Sequence, residues 1–419
     1  MEIFSGLSSP WQKIGDIFSL SMLFLCALFI PFSTAGLEIA NYLALLGFLI
    51  GGNYLSKFRF IQRSPFILSA LVFYLIMLLC CLYSPAGKDA ILGSIRAYEK
   101  LFLIPVGLWA FHLYPKTIRY FFAVIVTALL MNFILGFFKF YNFWPISQTT
   151  LQGYHSASFG SLKGSGHIAL SYFASMLTFG LGALFIHQFR KLSTLARWMT
   201  GIGTLLSLYY LLMVTDGRSG LVTFCVLVMY GVFRTIWSFK SYKAALVVLL
   251  LTGLAASLSL HYSPVLKQRL SAGTSDLQQY QQGHEDTSWG ERLNFWKNSL
   301  KLIEHKPFWG YGTGSMKQEY SSIDKRNVTD NPHNQYLFLW VEEGVPGVLS
   351  FLALLYFASK KPTSLRGDRA PLPISRILLE GSVLAFAVGC LYNSWLHDVH
   401  EGFFILMVWI GLYARTSQK

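Results

Sequence analysis

The chain has 419 residues, of which 53% are hydrophobic and only 13% are charged, and its mean hydropathy is +0.46. Soluble globular chains carry about a quarter charged residues, so this composition excludes an ordinary soluble domain. The formal net charge of +14 would fit a nucleic-acid-binding protein, but the basic residues are spread between apolar runs instead of forming one patch.

Apolar runs of roughly 17 to 25 residues recur along the chain, and each is long enough to cross a bilayer as a helix. We therefore predict an all-α polytopic integral membrane protein with about twelve transmembrane helices. The predicted spans are 17–34, 37–55, 66–84, 100–114, 118–141, 166–187, 198–215, 219–237, 244–262, 334–358, 377–395 and 402–415. We expect the first span to be retained, since no basic run precedes it and the next span follows at once.

The distribution of basic residues predicts the orientation. With the N-terminus in the cytoplasm, 19 of the 34 Lys and Arg residues fall in cytoplasmic segments. Six lie in or near short outer connections, and nine lie in the outer segment 263–333, which is long enough to be exempt from the positive-inside rule. We expect both termini in the cytoplasm. The basicity then reflects topology and does not indicate nucleic acid.

The chain divides into three parts: nine spans in 1–262, one long outer loop in 263–333, and three spans in 334–419. The loop is expected to lie on the outer side of the membrane and to contain short helices.

One helix of this loop can be predicted from its pattern. Ser288 and Glu291 have capping-box spacing, and Pro307 with a glycine-rich run ends the pattern. Between them, apolar residues recur at helical spacing: Leu293, Trp296, Leu300 and Ile303. We predict an amphipathic helix over 289–305 near the membrane surface.

Two arginines stand at the starts of predicted helices on the outer side. Arg218 lies in GRSG, where one span ends and the next begins, and Arg292 lies in the first turn of the amphipathic helix. Free N–H groups at a helix N-terminus favour anions, and the planar guanidinium suits phosphate. The glycines beside Arg218 would let the backbone approach a ligand. Each arginine alone fits an ordinary interfacial residue, but together they indicate an anionic ligand.

A histidine precedes the tenth predicted span, in NPHNQYLFLWVEEGVPG (331–347). Histidine is the side chain best suited to move protons near neutral pH. Pro332 restricts the chain, so His333 is expected to be held at the helix start, and Asn334 adds an amide that donates and accepts hydrogen bonds. A helix-capping or interfacial histidine is the alternative.

Glu342 and Glu343 follow two to three turns into the same apolar run. Carboxylates at that depth usually face a polar cavity or pair with a cation. Gly344, Pro346 and Gly347 favour a break in the helix, so the two glutamates also fit a structural role in a bent section.

Three other patterns are weaker indications of a binding site. HDVHEG (397–402) carries residues that bind metals, but two histidines at a membrane interface are more often ordinary residues, and we predict no metal site. GYGTGS (310–315) lacks the Gly-Lys-Ser/Thr ending of a phosphate-binding loop. The five cysteines lie in apolar runs without zinc-ligand spacing and are predicted to be packing residues.

The motifs in this order resemble the O-antigen ligase family, whose superfamily includes O-antigen polymerases and O-linked oligosaccharyltransferases. The motifs are GRSG at a span boundary, ERLNFWKNSLKLIEHKPFWGYGTGS in one outer loop, and HNQYLFLWVEEGVPG entering the next span. The resemblance covers about 212–350 in motif and the whole chain in topology. It is more specific to the superfamily than to the ligase.

This resemblance implies a GT-C-like fold in the bacterial inner membrane with a periplasmic active site. It implies transfer of a glycan from undecaprenyl diphosphate to lipid A-core, with inversion and without metal or other cofactor. The family's two key arginines, which bind the diphosphate, would correspond to Arg218 and Arg292, and its key histidine to His333. Three further residues are candidates for an accessory role in the site: Asn334, Glu342 and Glu343.

Two other readings of the chain remain open. An O-antigen polymerase or a protein O-oligosaccharyltransferase would use the same lipid-linked donor, although polymerases often have two large outer loops and the oligosaccharyltransferases a longer C-terminal part. A non-enzymatic lipid or glycan transporter would place ionisable residues along a path through the spans, whereas here they gather at the outer end.

Overall fold

A computed structural model describes residues 10–141, 143, 166–215, 217–239, 242–282, 287–325, 327–360 and 374–417. Across these residues the protein is helical and has no β-strand, which confirms the all-α prediction. The α-helices are α1 (Pro10–Phe29), α2 (Thr34–Ile50), α3 (Tyr54–Gln62), α4 (Pro65–Cys80), α5 (Lys88–Tyr98), α6 (Leu103–Leu113), α7 (Ile118–Phe140), α8 (His167–Gln188), α9 (Thr194–Tyr209), α10 (Arg218–Phe239), α11 (Tyr242–Tyr262), α12 (Pro264–Gln281), α13 (Ser288–His305), α14 (Met316–Ile323), α15 (Gln335–Ser359), α16 (Ile374–Gly389) and α17 (Val399–Ser417).

All twelve predicted spans fall on helices of the structure. Among the described residues, six helical stretches are long and apolar enough to cross a membrane, or up to seven if the bent pair α2 and α3 is one span. Several of the other helices are short; α6, for example, has 11 residues and rises about 16 Å, roughly half the hydrocarbon thickness of a bilayer. The protein is a multi-pass membrane protein, and the number of twelve spans stays a prediction.

The second predicted span, 37–55, is too long. Helix α2 ends at Ile50, and Gly52 and Asn53 adopt positive φ angles of 59° and 51°. This turn bends the chain by 114° into α3. Left-handed backbone at two successive residues cannot continue a right-handed helix.

The helices that begin at the candidate site pack against several other helices. Helix α8 packs against α9 and α10, α4 packs against α15, and α16 packs against both α10 and α17. Of the candidate spans, α8 and α15 are the most buried, with 67% and 56% of their residues inside the protein, whereas α10 has 28%. The N-terminal ends of α10 and α15 are fixed by packing on their neighbours.

The segment 263–333 contains α12, α13 and α14, as predicted for a loop with short helices. The amphipathic helix begins at Ser288, and its N-cap is Thr287, whose hydroxyl accepts a hydrogen bond from the N–H of Gly290 at 3.1 Å. The predicted capping role of Ser288 is therefore wrong, because Ser288 is already the first helical residue. Helix α13 packs on α12, α14 and α15, which sets it across the N-terminal part of α15.

Candidate functional site

Arg218 is the first residue of α10, and close packing on α8 fixes its position. A Cβ atom on Gly217 would lie 2.2 Å from Ser171 Oγ, and one on Gly220 would lie 2.4 Å from the Ser171 carbonyl oxygen. Both glycines are thus required for α10 to approach α8. Their approach to a ligand stays a prediction, and the structure shows that their lack of a side chain makes room for Ser171.

The Arg218 guanidinium forms an ion pair with Asp276 of α12. Arg218 Nη1 lies 3.0 Å from Asp276 Oδ2, and the two side chains are 35% and 15% exposed. Because half-buried charges are less screened than surface charges, this pair holds the arginine in one place. Sequence analysis did not find Asp276, which lies in a polar stretch with no motif.

Arg292 is half-buried at the fifth position of α13, one residue beyond the predicted first turn. Burial lowers the pKa of its guanidinium, and the positive charge of Arg218 lowers this pKa further. The Tyr392 phenol acts in the opposite direction. The two arginines predicted from separate motifs therefore lie within electrostatic reach of each other.

Tyr392 is a second residue that the sequence did not reveal. Its hydroxyl lies 3.2 Å from Thr223 Oγ1 and donates a hydrogen bond to the Ser219 carbonyl at 3.3 Å. Ser219 directly follows Arg218, so Tyr392 connects the start of α10 to the surroundings of Arg292. An aromatic residue at the end of an apolar run carries no signal that distinguishes this position from ordinary packing.

His333 lies between α13 and the start of α15 in a strained conformation, with φ +51°. Its N–H donates a hydrogen bond to Asn331 Oδ1 at 2.9 Å, and its ring centroid lies 6.3 Å from that of Phe295. The adjacent Pro332 carbonyl accepts a hydrogen bond from Trp296 Nε1 at 3.0 Å. These contacts hold His333 against α13, whereas the sequence indicated Pro332 alone as the constraint.

The surroundings of His333 keep its imidazole neutral. Burial lowers its pKa from 6.5 to about 4, and the charge of Arg292 contributes in the same direction, while Asp330 opposes it. A neutral imidazole can accept a proton at physiological pH. Arg218, Arg292 and His333 thus form one connected electrostatic group.

Asn334 is the N-cap of α15 and is committed to that role. Its Oδ1 accepts hydrogen bonds from the N–H groups of Tyr336 and Leu337 at 3.0 and 3.1 Å. Its Nδ2 donates to the Leu391 carbonyl at 2.8 Å. These contacts are those of a helix cap, and the accessory role of Asn334 stays a prediction.

Glu342 and Glu343 are both 1% exposed, and the hydrogen bonds of their carboxylates are to the glycine-rich segment 310–316. Glu342 accepts hydrogen bonds from the N–H groups of Gly314 and Met316 at 2.8 and 3.1 Å. Glu343 Oε1 accepts from the Thr313 hydroxyl at 3.0 Å. Within the described residues these carboxylates form no ion pair with a cation, so the structural alternative raised by the sequence is the one that their contacts favour.

The helix break predicted beside these glutamates is present. Gly344 has φ +64° and ψ −154°, a combination that essentially only glycine adopts. The N–H of Gly312 donates to the Glu342 carbonyl at 2.7 Å, and the N–H of Val345 donates to the Phe308 carbonyl at 3.0 Å. The segment GYGTGS is therefore a structural joint on α15, in agreement with its rejection as a phosphate-binding loop.

The histidines of HDVHEG point into the protein. His400 Nδ1 lies 2.7 Å from the Ile30 carbonyl oxygen, and the His397 ring packs edge-on against Tyr98 and Phe338. Among the described residues no group of three His, Cys, Asp or Glu side chains could hold a metal ion.

The fold and site define a multi-pass helical membrane protein in which two arginines and a histidine lie near the N-terminal ends of α10, α13 and α15. Residues 202–352 match the family model described as O-antigen ligase, so the chain is similar to that family over this region. The resemblance seen in the motifs is confirmed, and all three candidate site residues lie within the matched region.

A second comparison gives a short match. The chain is 26% identical over 98 residues to an uncharacterized protein of Haemophilus influenzae (strain ATCC 51907 / DSM 11121 / KW20 / Rd). The match covers 22% of this chain and 25% of that protein, so this chain spans only a quarter of the relative's length.

Proposed function

We propose that this protein transfers an O-antigen glycan from undecaprenyl diphosphate to lipid A-core on the periplasmic face of the inner membrane, completing lipopolysaccharide. The observation that carries the proposal is that the charges of the site act on one another: Arg218 lowers the pKa of Arg292, and Arg292 lowers the pKa of His333. A diphosphate leaving group needs positive charge, and an acceptor hydroxyl needs a proton acceptor close by.

In the proposed reaction, an acceptor hydroxyl attacks the anomeric carbon of the donor sugar. The bond between that carbon and the diphosphate oxygen breaks on the opposite face, so the anomeric centre inverts. The released diphosphate gains one negative charge, and two fixed guanidinium groups would stabilise it. Because they serve the departing charge more than the bound donor, Arg218 and Arg292 would lower the barrier itself.

His333 would take the proton of the acceptor hydroxyl or orient that hydroxyl for attack. Its imidazole is neutral in the donor-free protein, as a proton acceptor must be. The negative charge of the diphosphate would raise its pKa once the donor is bound, which stabilises the imidazolium that forms. The protein supplies both the charge stabilisation and the proton acceptor, and the reaction as drawn needs no cofactor or metal.

The alternative with the same donor chemistry is an O-antigen polymerase or a protein O-oligosaccharyltransferase. The three activities differ in their acceptor, and the acceptor-binding residues are not defined by the arginine and histidine contacts. A lipid or glycan transporter is favoured less, because the charged groups of the site cluster at helix ends and in the loop.

The test is the lipopolysaccharide profile of a strain that lacks this gene, with lipid-linked glycan measured in parallel. The ligase proposal predicts bare lipid A-core and long glycan that accumulates on undecaprenyl diphosphate. Core that carries a single repeat unit would instead indicate a polymerase. An unchanged profile would contradict both and favour protein glycosylation or transport.

A further inference from the structure

In the donor-free protein, one of the two arginines proposed to bind the diphosphate is already paired with an acidic side chain. Asp276 Oδ2 lies 3.0 Å from Arg218 Nη1, and only 15% of the Asp276 side chain is exposed. Neighbouring α12 side chains such as Gln278 and Gln279 are exposed. Asp276 is thus the inward-facing charge of an otherwise polar, outward-facing stretch of helix.

The charges of the site do not allow both anions at once. Arg218 and Arg292 together carry two positive charges, and a diphosphate that bridges a lipid and a sugar carries two negative charges. A carboxylate on Arg218 would add a third negative charge within contact distance of the phosphates, and like charges at that distance repel strongly in a half-buried site. The bidentate face of a guanidinium also suits one oxyanion group at a time.

We propose that Asp276 is a positioning residue for the donor cycle. It holds Arg218 while the site is empty, is displaced when the diphosphate binds, and pairs with Arg218 again as undecaprenyl diphosphate leaves. This inference rests on the proposed function, since it assigns Arg218 to the diphosphate.

Displacement of Asp276 would also affect Arg292, through a backbone contact between α12 and α13. The Asp276 carbonyl lies 3.5 Å from the hydroxyl of Thr287, the N-cap of the helix that carries Arg292. A shift of α12 at Asp276 would therefore alter the start of α13. Replacement of the Asp276 carboxylate by the diphosphate would then affect both Arg218 and Arg292 whenever the donor binds.

The test compares wild type with Asp276→Asn in reconstituted membranes, with inorganic diphosphate and undecaprenyl diphosphate as inhibitors of glycan transfer. Without the competing carboxylate, Arg218 is always available, so the inhibitory concentrations should fall by about tenfold. The donor KM should fall as well, and kcat should fall because product leaves slowly. Asp276→Glu should restore wild-type values, and Asp276→Ala should behave like Asp276→Asn, which keeps the test in place if one variant misfolds.

Glu304→Gln is the matched control, since Glu304 is an exposed acid on α13. It should leave all three quantities unchanged. In an Arg218→Ala background, where transfer itself is expected to be lost, the readout is the affinity for undecaprenyl diphosphate, and Asp276→Asn should not raise this affinity. Inhibition that is unchanged or weaker in Asp276→Asn, or a raised donor KM, would overturn the inference and leave Asp276 as a support for α12.

Two outcomes separate this inference from the function on which it rests. If Arg218→Ala and Arg292→Ala weaken the binding of undecaprenyl diphosphate but Asp276→Asn does not strengthen it, only the role of Asp276 is wrong. If neither arginine variant changes this binding, the assignment of the diphosphate to these arginines fails, and the inference fails with it.

Discussion

At the scale of single residues, the site combines two interacting cations with a neutral imidazole. Arg292 is the central member, because its charge lowers the pKa of His333 and its own pKa is lowered by Arg218. Holding two guanidinium groups near each other costs free energy in the empty protein. Such an arrangement is favourable when an anion with two charges binds, which is why it points to a diphosphate.

Alanine at Arg218, Arg292 or His333 should abolish transfer and leave the protein folded in the membrane. Loss of an arginine that stabilises the leaving group should cost on the order of 10²–10³ in kcat, and loss of the proton acceptor about 10²–10⁴. Transfer rates in membranes with equal protein content measure this. Lys297→Ala, on an exposed position of the same helix as Arg292, should keep full activity. Full activity in all three site variants would contradict the assignment.

The pH dependence should reflect the displaced pKa of His333. Since the pKa is lowered to about 4 in the free protein, His333 stays neutral at higher pH and protonates as pH falls through about 4. The acidic limb of kcat/KM should therefore lie near pH 4, and the limb of kcat, which reports the donor complex, should lie higher. Limbs that persist in His333→Ala would show that another group is responsible.

At the scale of elements, the contacts between the segment 310–316 and α15 fix the position of the segment 263–333 on α15. Gly344 breaks α15, and Glu342 binds the N–H groups at the start of α14. Helix α13 lies between α12 and this joint in the chain and packs on α15. The position of Arg292 relative to His333 thus depends on a contact that involves neither residue.

Glu342→Ala should destabilise the protein by about 2–4 kcal/mol, because two buried N–H groups lose their acceptor. Thermal unfolding in detergent should show a lower midpoint, with a smaller decrease for Glu342→Gln, which keeps one acceptor oxygen. Glu304→Ala, which removes an exposed carboxylate, provides the comparison. If Glu342→Ala unfolds like wild type but loses transfer, Glu342 takes part in the chemistry after all.

Local signals in the sequence predicted the long apolar helices, the amphipathic helix α13 and the break in α15, and they indicated Arg218, Arg292 and His333 as site candidates. They could not predict Asp276, because its partner Arg218 lies 58 residues away and no motif connects the two. Tyr392 was missed because an aromatic residue at the end of an apolar run looks like ordinary packing. The packing role of the glycines of GRSG was missed, since a small residue needed for helix packing and one needed for ligand approach have the same sequence pattern.

At the scale of the whole molecule, the orientation rests on the positive-inside rule and the number of spans rests on apolar runs. Six or seven stretches of the described chain qualify by length and composition, whereas the sequence predicts about twelve spans. Short helices such as α6 contribute to this difference. With 11 residues, α6 is too short to cross a bilayer alone, and the 3₁₀ turn that precedes it adds only four residues.

The predicted topology can be tested with single cysteines in a cysteine-free background. Positions 304 and 415 are both exposed, and the prediction places the first in the periplasm and the second in the cytoplasm. A membrane-impermeant maleimide should label Glu304→Cys in cells with an opened outer membrane, and Arg415→Cys only after the inner membrane is permeabilised. Labelling of both positions from the same side would contradict the predicted orientation.

The central claim is that this chain alone moves a glycan from undecaprenyl diphosphate to lipid A-core. The most direct test is purified protein in proteoliposomes with that donor and that acceptor, with a chelator present and no nucleotide added. We expect glycan-bearing lipid A-core and free undecaprenyl diphosphate in equal amounts, and neither product with Arg292→Ala. Donor consumed without glycan on lipid A-core, or equal product with Arg292→Ala, would contradict the account.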